Sequence, residues 1–83
     1  MFTVYILRTD KDTLYIGQTK DLRARLKKHK EGKGAKYFRI FKSFRLVYTE
    51  KFKTRSDALK REHELRKLSK IEKEDLITNS LNT

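Results

Sequence analysis

Two apolar segments near the N-terminus have the residue pattern of β-strands. Residues 2–8 (FTVYILR) and 14–18 (LYIGQ) are rich in β-branched and aromatic side chains, and the segment 10–12 (DKD) between them is a turn signal. The pattern therefore predicts a β-hairpin. Because both strands carry apolar residues at consecutive positions, we expect both faces of the sheet to be covered.

A helical pattern follows the hairpin. Either Thr19 or Asp21 can cap a helix that runs to about Glu31, and Leu22 and Leu26 supply its buried side. Further along, residues 44–50 predict a third strand. Its apolar side chains occupy alternate positions, namely Phe44, Leu46 and Tyr48.

Two more helices are predicted in the C-terminal half. The second helix starts at Thr54 or Ser56 and runs to about Leu68. Residues 69–72 (SKIE) match a capping box, so we expect a break there and a short third helix from 70 to about 78, followed by a frayed tail over 79–83. The element order β-β-α-β-α-α predicts an α+β fold, with a small, mainly antiparallel three-stranded sheet packed by helices in one domain over residues 1–78.

The net charge of the chain indicates which class of molecule it binds. The 83 residues include 22 Lys and Arg against 11 Asp and Glu, which gives a formal net charge of +11. Such an excess attracts polyanions, so nucleic acid is the expected partner, although charge alone does not separate DNA enzymes from RNA-binding proteins. An anionic membrane is the weaker alternative, because no helix combines a basic face with a broad apolar one.

The absence of cysteine and of long apolar segments bears on the cellular compartment of the protein. The chain contains no cysteine, which excludes disulfides and thiolate metal sites and fits a reducing, cytoplasmic setting. No long apolar run predicts a transmembrane helix, and the N-terminus has no signal-peptide pattern.

One acidic residue lies where an apolar residue is expected. In the second predicted helix, Glu62 is four residues after Ala58 and three from both Leu59 and Leu65, so it falls on or beside the stripe that should face the core. An acid there is costly unless it is paired or bound to a metal ion. Two interpretations stay open: Glu62 reaches solvent or pairs with an Arg, or it holds a divalent metal ion.

Two basic residues of the first helix share a face. Arg25 and His29 are four residues apart, beside the buried stripe. A guanidinium there can clamp a phosphate, and the imidazole can donate to a leaving oxygen or orient a water. The alternative is that both belong to a solvated basic helix.

The hairpin contains two tyrosines, Tyr5 and Tyr15, whose positions along the two strands allow their side chains to lie on the same face of the sheet. If the turn centres near residue 11, Tyr5 pairs roughly with Gly17 and Leu7 with Tyr15, so that both hydroxyls project from one face. Gly17 would then leave room beside Tyr5 for a ligand or a close backbone approach. The alternative is ordinary packing of two strand tyrosines.

Together and in this order, these residues resemble a GIY-YIG endonuclease domain. Residues 3–5 (TVY) and 15–17 (YIG) correspond to its two motifs, residues 18–29 to its Arg-containing helix, and residues 58–62 (ALKRE) to its glutamate helix. Residues 32–37 and 68–74 look like the small stand-alone bacterial subfamily. The first motif departs from the family at Thr3 and Val4, and Gln18 stands where some relatives carry Lys.

The resemblance implies metal-dependent hydrolysis of DNA phosphodiester bonds, for instance in DNA repair. Glu62 would hold one divalent ion, Mg²⁺ or Mn²⁺, while Tyr5 and Tyr15 would position or deprotonate the attacking water, with a tyrosine pKa lowered by positive charge and metal. Arg25 would neutralise charge on the phosphate, and His29 would be a second polar aid.

The expected nucleic-acid contacts are basic or polar side chains near these motifs. They are Gln18, Lys20, Arg23, Lys28, Lys33, Lys36 and Tyr37. Such contacts read phosphate rather than bases, so we expect a structure- or single-strand-selective enzyme with little sequence specificity and no small-molecule cofactor. The alternatives are a catalytically silent nucleic-acid-binding module and an RNA-binding accessory protein.

Overall fold

The apolar segments at the N-terminus form the predicted hairpin, from strand β1 (Phe2–Thr9) and strand β2 (Leu14–Thr19). The computed structural model describes residues 1–31 and 43–81. Its other elements are α1 (Leu22–Lys30), β3 (Phe44–Phe52), α2 (Arg55–Arg66) and α3 (Lys70–Leu81). The predicted order β-β-α-β-α-α and the α+β class are confirmed.

The central strand of the sheet is β1, since the strand order is β2-β1-β3 and both pairings are antiparallel. Residues Val4 to Leu7 of β1 are fully buried. Their side chains alternate between two apolar clusters. The first contains Val4 and Ile6 with residues of α2 and α3, and the second contains Tyr5 and Leu7 with residues of α1. Both faces of the sheet are therefore covered, as the consecutive apolar positions predicted.

The hairpin turn places one residue in the left-handed region. Asp12 has a φ of 64°, which Asp tolerates better than most non-glycine residues. Its amide donates to the carbonyl of Thr9, and the Thr9 amide donates to the carbonyl of Thr13 at 2.9 Å. These bonds close the turn at the position predicted from the DKD segment.

Side-chain caps begin all three helices. Of the candidates, Asp21 caps α1 by accepting from the Ala24 amide, and Thr54 caps α2 by accepting from the Asp57 amide, both at 3.1 Å. At the start of α3 the predicted capping box forms in both directions: the Ser69 hydroxyl accepts from the Glu72 amide, and the Glu72 carboxylate accepts from the Ser69 amide. These bonds satisfy amides that have no partner within the helix.

The third helix is longer than predicted. It ends at Leu81 rather than near 78, so residues 79–81, expected in a frayed tail, are helical. Ile77, at the start of this added turn, is buried in the core, and the Ser80 hydroxyl makes a local hydrogen bond to the Ile77 carbonyl at 2.8 Å. Residues 82–83 lie outside the described residues.

The alternation predicted for β3 is wrong. The pairing with β1 shifts between Ile6, which pairs with Tyr48, and Leu7, which pairs with Leu46. Val47 is the extra residue of this bulge, so Leu46 and Tyr48 face opposite sides of the sheet and Leu46 stays 41% exposed. The pattern of apolar residues does not reveal a bulge, and for this reason the sequence predicted a regular strand with simple alternation.

An ion-pair network ties α3 to the hairpin. The Arg8 guanidinium donates to both carboxylate oxygens of Glu74, at 2.8 and 2.5 Å, and to Asp12 at 2.7 Å. Lys70 donates to the Asp12 carbonyl at 2.6 Å. Hydrogen bonding to Arg8 lowers the pKa of Glu74.

We expect Glu74→Gln to lower the free energy of unfolding by about 1 kcal/mol at pH 7, because it removes a paired but partly exposed charge. Since the pKa of Glu74 is lowered in the folded state, this stabilisation is present above 4.5 and is lost as the pH falls through the folded-state value. Urea titrations at several pH values measure the difference. Asp75→Asn, an exposed charge on the same helix, is the control and should have little effect.

Candidate active site

The site is built around Tyr5 on the central strand. Tyr5 pairs with Gly17 and Leu7 with Tyr15, which confirms the predicted register. The Tyr5 side chain is fully buried and crosses over Gly17: a Cβ at position 17 would lie 2.5 Å from the Tyr5 hydroxyl oxygen. The absence of a side chain at Gly17 therefore allows the Tyr5 hydroxyl to reach its position.

The partner of this hydroxyl is His29 from α1. The Tyr5 oxygen lies 3.1 Å from Nε2 of His29, and His29 is only 2% exposed. The alternative of a solvated His29 is therefore wrong. His29 follows Leu22 and Leu26 at helical spacing, so it continues their stripe toward the sheet. This spacing is the signal that could have indicated its burial.

Tyr15 completes an aromatic cluster on the same face of the sheet. Its ring centroid lies 6.4 Å from that of Tyr5 and 5.7 Å from that of His29, which it meets edge-on. Phe44 contacts His29 from the other strand, with centroids 6.0 Å apart. Both tyrosines therefore lie on one face, as their parity predicted, and the imidazole is packed among rings.

Burial dominates the acidity of Tyr5. Desolvation and the neighbouring Tyr15 raise the pKa of Tyr5 to about 12. The Arg25 guanidinium lowers this pKa by its charge and by hydrogen bonding, and the Glu62 carboxylate raises it. Positive charge thus acts in the predicted direction, but in the metal-free protein burial outweighs it and the net shift is upward.

The pKa of His29 is shifted as well. Burial first, and then the charge of Arg25, hold the pKa of His29 below its usual 6.5. His29 is therefore neutral at neutral pH. Because Tyr5 keeps its proton under the same conditions, the Tyr5 hydroxyl is able to donate its hydrogen bond to Nε2 of a neutral imidazole.

Glu62 reaches the site from α2. Ala58 and Leu65 of this helix are buried, whereas Leu59 is 41% exposed, so the apolar face is narrower than predicted and Glu62 lies between its two members. The Glu62 side chain is 13% exposed and lies 3.3 Å from Arg66. Arg66 also donates to the Ile16 carbonyl, next to Gly17, which joins Glu62 to the edge of β2. The predicted pairing with an Arg is therefore present.

Glu62 is suited to bind a hard cation such as Mg²⁺ with few other ligands from the protein. Within residues 1–31 and 43–81, no group of three or more His, Asp or Glu side chains is placed to bind a metal ion. An ion held by Glu62 would therefore take its remaining ligands from phosphate and water. Mg²⁺ is commonly bound in this way, through one or two carboxylates and the substrate.

The predicted nucleic-acid residues separate into two groups. Gln18, Lys20 and Lys28 line one groove together with Arg25. Arg23 lies on the other flank of α1, in a second groove with an apolar floor. The remaining three, Lys33, Lys36 and Tyr37, lie outside the described residues.

Comparison with known proteins identifies the class. The model of the GIY-YIG catalytic domain matches residues 1–75, so the chain belongs to this family of nuclease-type domains. The chain is 43% identical over 74 residues to a UPF0213 protein of Staphylococcus aureus, across 89% of this chain and 90% of that protein. A UPF0213 protein of Staphylococcus saprophyticus is 44% identical over 75 residues, across 90% and 92% of the two chains.

A solved structure agrees with the fold. The solution NMR structure of a UPF0213 protein from Bacillus halodurans is 43% identical, has a TM-score of 0.61, and matches 94% of this chain and 84% of its own. The relatives are thus small proteins of similar length built on a stand-alone GIY-YIG domain. In the described part of this chain, no helix is long and apolar enough to span a membrane.

We expect Gly17→Ala to destabilise the fold by about 1–3 kcal/mol, because the new Cβ overlaps the Tyr5 ring and hydroxyl. Urea unfolding measures this cost. In a Tyr5→Leu background the obstructing ring is gone, so the same substitution should cost clearly less. Equal costs in both backgrounds would show that Gly17 does not accommodate Tyr5.

The buried His29 predicts a pH dependence of stability. Because its pKa is below 6.5 in the folded state, the unfolded chain binds the proton first as the pH falls, and stability decreases below pH 6.5. We expect His29→Gln, which keeps an acceptor for Tyr5, to lose this part of the decrease. Thermal unfolding between pH 5 and 8 tests it, with the exposed His63→Gln as control.

Proposed function

We propose that this protein is a metal-dependent endonuclease that hydrolyses DNA phosphodiester bonds. The observation that supports it most directly is the hydrogen bond between Tyr5 and His29 at 3.1 Å, beside Tyr15. Arg25 and Glu62, from two different helices, lie close enough for their charges to act on the Tyr5 hydroxyl. A protein that only binds phosphate does not need a largely buried carboxylate at its site, because a carboxylate repels phosphate unless a cation offsets its charge.

The proton path in this proposal begins at Tyr5 and ends at His29. A tyrosine with a pKa near 12 is rarely ionised at pH 7, so Tyr5 alone is a poor base. Nε2 of the neutral His29 accepts the Tyr5 proton while the Tyr5 oxygen takes a proton from the attacking water. The pair therefore acts as the general base, and the positive charge ends on the imidazole.

The other residues of the site act on the phosphate. Arg25 neutralises the charge that develops on the non-bridging oxygens, and Tyr15 positions the water from the same face as Tyr5. Glu62 would hold Mg²⁺ or Mn²⁺, which supplies a Lewis acid for the phosphate and the leaving oxygen. Nucleases of this family generally use divalent metals, and the ion pair with Arg66 at 3.3 Å orients the Glu62 carboxylate in the metal-free state.

The expected substrate is DNA with exposed or distorted strands. The net charge of +11 supplies affinity for any phosphate backbone. Contacts of this kind position the strand but carry no sequence information, so we expect selectivity for structure and little for sequence.

Cleavage of supercoiled plasmid and branched DNA with Mg²⁺ or Mn²⁺ tests the proposal. We expect Glu62→Gln to reduce the rate by roughly 10²–10³-fold, because it removes the metal-binding charge. Tyr5→Phe should cost roughly 10²–10⁴-fold by removing the proton path. Glu64→Gln, two residues away on the same helix and 55% exposed, is the matched control and should cleave like the wild type.

Two results would contradict the mechanism. Equal cleavage by the wild type and Glu62→Gln would point to a contaminating nuclease. Salt-sensitive DNA binding without cleavage under any metal condition would favour a silent binding module, the alternative that the Glu62–Arg66 ion pair supports, since this pair satisfies the carboxylate without a metal.

A further inference from the structure

A basic groove opens beside the candidate active site. It has a volume of about 380 Å³ and lies between the first turns of α1 and α2, at the end of the sheet where β2 finishes. Its lining includes Lys20, Lys28 and Arg55 together with Arg25. We call it the flank groove.

The charge of the flank groove is strongly one-sided. Lys20, Arg25, Lys28 and Arg55 contribute four positive charges. Among the described lining residues, Asp21 is the one carboxylate, and it already accepts a hydrogen bond from the Ala24 amide as the cap of α1. The electrostatics of the groove therefore favour an anion.

The flank groove is continuous with the reaction site. Arg25 lines the groove and also acts on the Tyr5 hydroxyl, so one guanidinium lies between the two. Gln18, a second lining residue, directly follows Gly17 in β2. Through Arg25, a strand whose phosphate lies at Tyr5 can extend into the groove.

The lining also contains groups suited to a base. Phe2 packs, partly buried, against the first apolar cluster and also lines the groove, and aromatic rings stack on bases with little regard to sequence. Oε1 of Gln18 is buried and accepts no hydrogen bond from the described residues, so this oxygen would gain a partner from a donor on a nucleotide that reached it. A volume of about 380 Å³ is near the lower end for ligand pockets and suits one nucleotide rather than a base pair.

We propose that the flank groove binds one unpaired nucleotide adjacent to the scissile phosphate. Lys28 and Arg55 hold its phosphate, and Phe2 and Gln18 contact its base. The inference rests on the proposed function for the position of the scissile phosphate. It makes the substrate a single-stranded segment, such as an overhang, flap or gap, and it adds Arg55 and Phe2, which the sequence did not single out.

Binding of a thymidine 12-mer and of a duplex of equal length, both measured by fluorescence anisotropy in EDTA, tests the groove without cleavage. We expect the wild type to prefer the single strand. Lys28→Gln/Arg55→Gln should abolish this preference and lower the slope of log K against log salt by roughly 1.4 for the single strand, at about 0.7 per phosphate contact. The charge-matched control is Lys51→Gln/Lys60→Gln, which removes two exposed cations elsewhere and should change the slope by less than half as much.

Phe2→Leu supplies a second readout that leaves the charge unchanged. Loss of stacking should weaken binding of the single strand roughly fivefold or more and leave duplex binding unchanged, in protein whose far-UV spectrum and unfolding midpoint confirm folding. Equal salt slopes for the two double variants, or equal binding of single strand and duplex by the wild type, would overturn the proposal that the flank groove binds an unpaired nucleotide.

The failure of the groove and the failure of the proposed nuclease are distinguishable. Glu62-dependent cleavage combined with equal effects of the groove and control variants would reject the groove and leave the nuclease standing. Groove-dependent binding of the single strand without cleavage in Mg²⁺ or Mn²⁺ would retain the groove and reject the nuclease.

Discussion

Burial of β1 on both faces is the constraint on which the rest of this small fold depends. Val4 and Ile6 pack against α2 and α3, while Tyr5 and Leu7 pack against α1, and the strand is paired on both sides in the sheet. A chain of 83 residues has little apolar area to bury, so one strand serves both layers of the core. The position of α1 relative to α2 is therefore set through this strand, and the candidate site lies where these two helices flank it.

The same constraint shapes the chemistry of the site. A tyrosine at a fully buried position needs a partner for its hydroxyl, and His29 supplies it from the stripe of α1 that packs on the sheet. Burial keeps the proton on Tyr5 and removes it from the neighbouring imidazole, so the two groups form a donor and an acceptor at neutral pH. The core and the candidate active site are consequently one structure, and a change in packing at Gly17 is also a change in the site.

Charge is arranged in two different ways around this core. Arg8 and Glu74 form a bidentate pair that holds α3 against the hairpin, so that part of the excess charge is used in packing. At the end of the sheet where β2 finishes, the flank groove has four cations, including Arg25, and one carboxylate, Asp21, in its described lining. Glu62 is the carboxylate whose charge raises the pKa of Tyr5. Four of the positive charges that the sequence predicted therefore line one groove, and its Arg25 also acts on Tyr5, as does the largely buried Glu62.

The sequence by itself determined the elements that depend on local pattern: the register that brings Tyr5 opposite Gly17 follows from the strand period of two, and the inward position of Glu62 follows from helical spacing. It left open whether His29 faces solvent, because a polar residue at the edge of a stripe satisfies both environments. Only the tertiary structure decided that His29 is buried, that burial outweighs Arg25 in setting the pKa of Tyr5, and that the flank groove includes a cation from the start of α2. The physical reason is the same in each case, since desolvation and Coulomb interactions depend on distances between segments remote along the chain, and a linear pattern does not contain those distances.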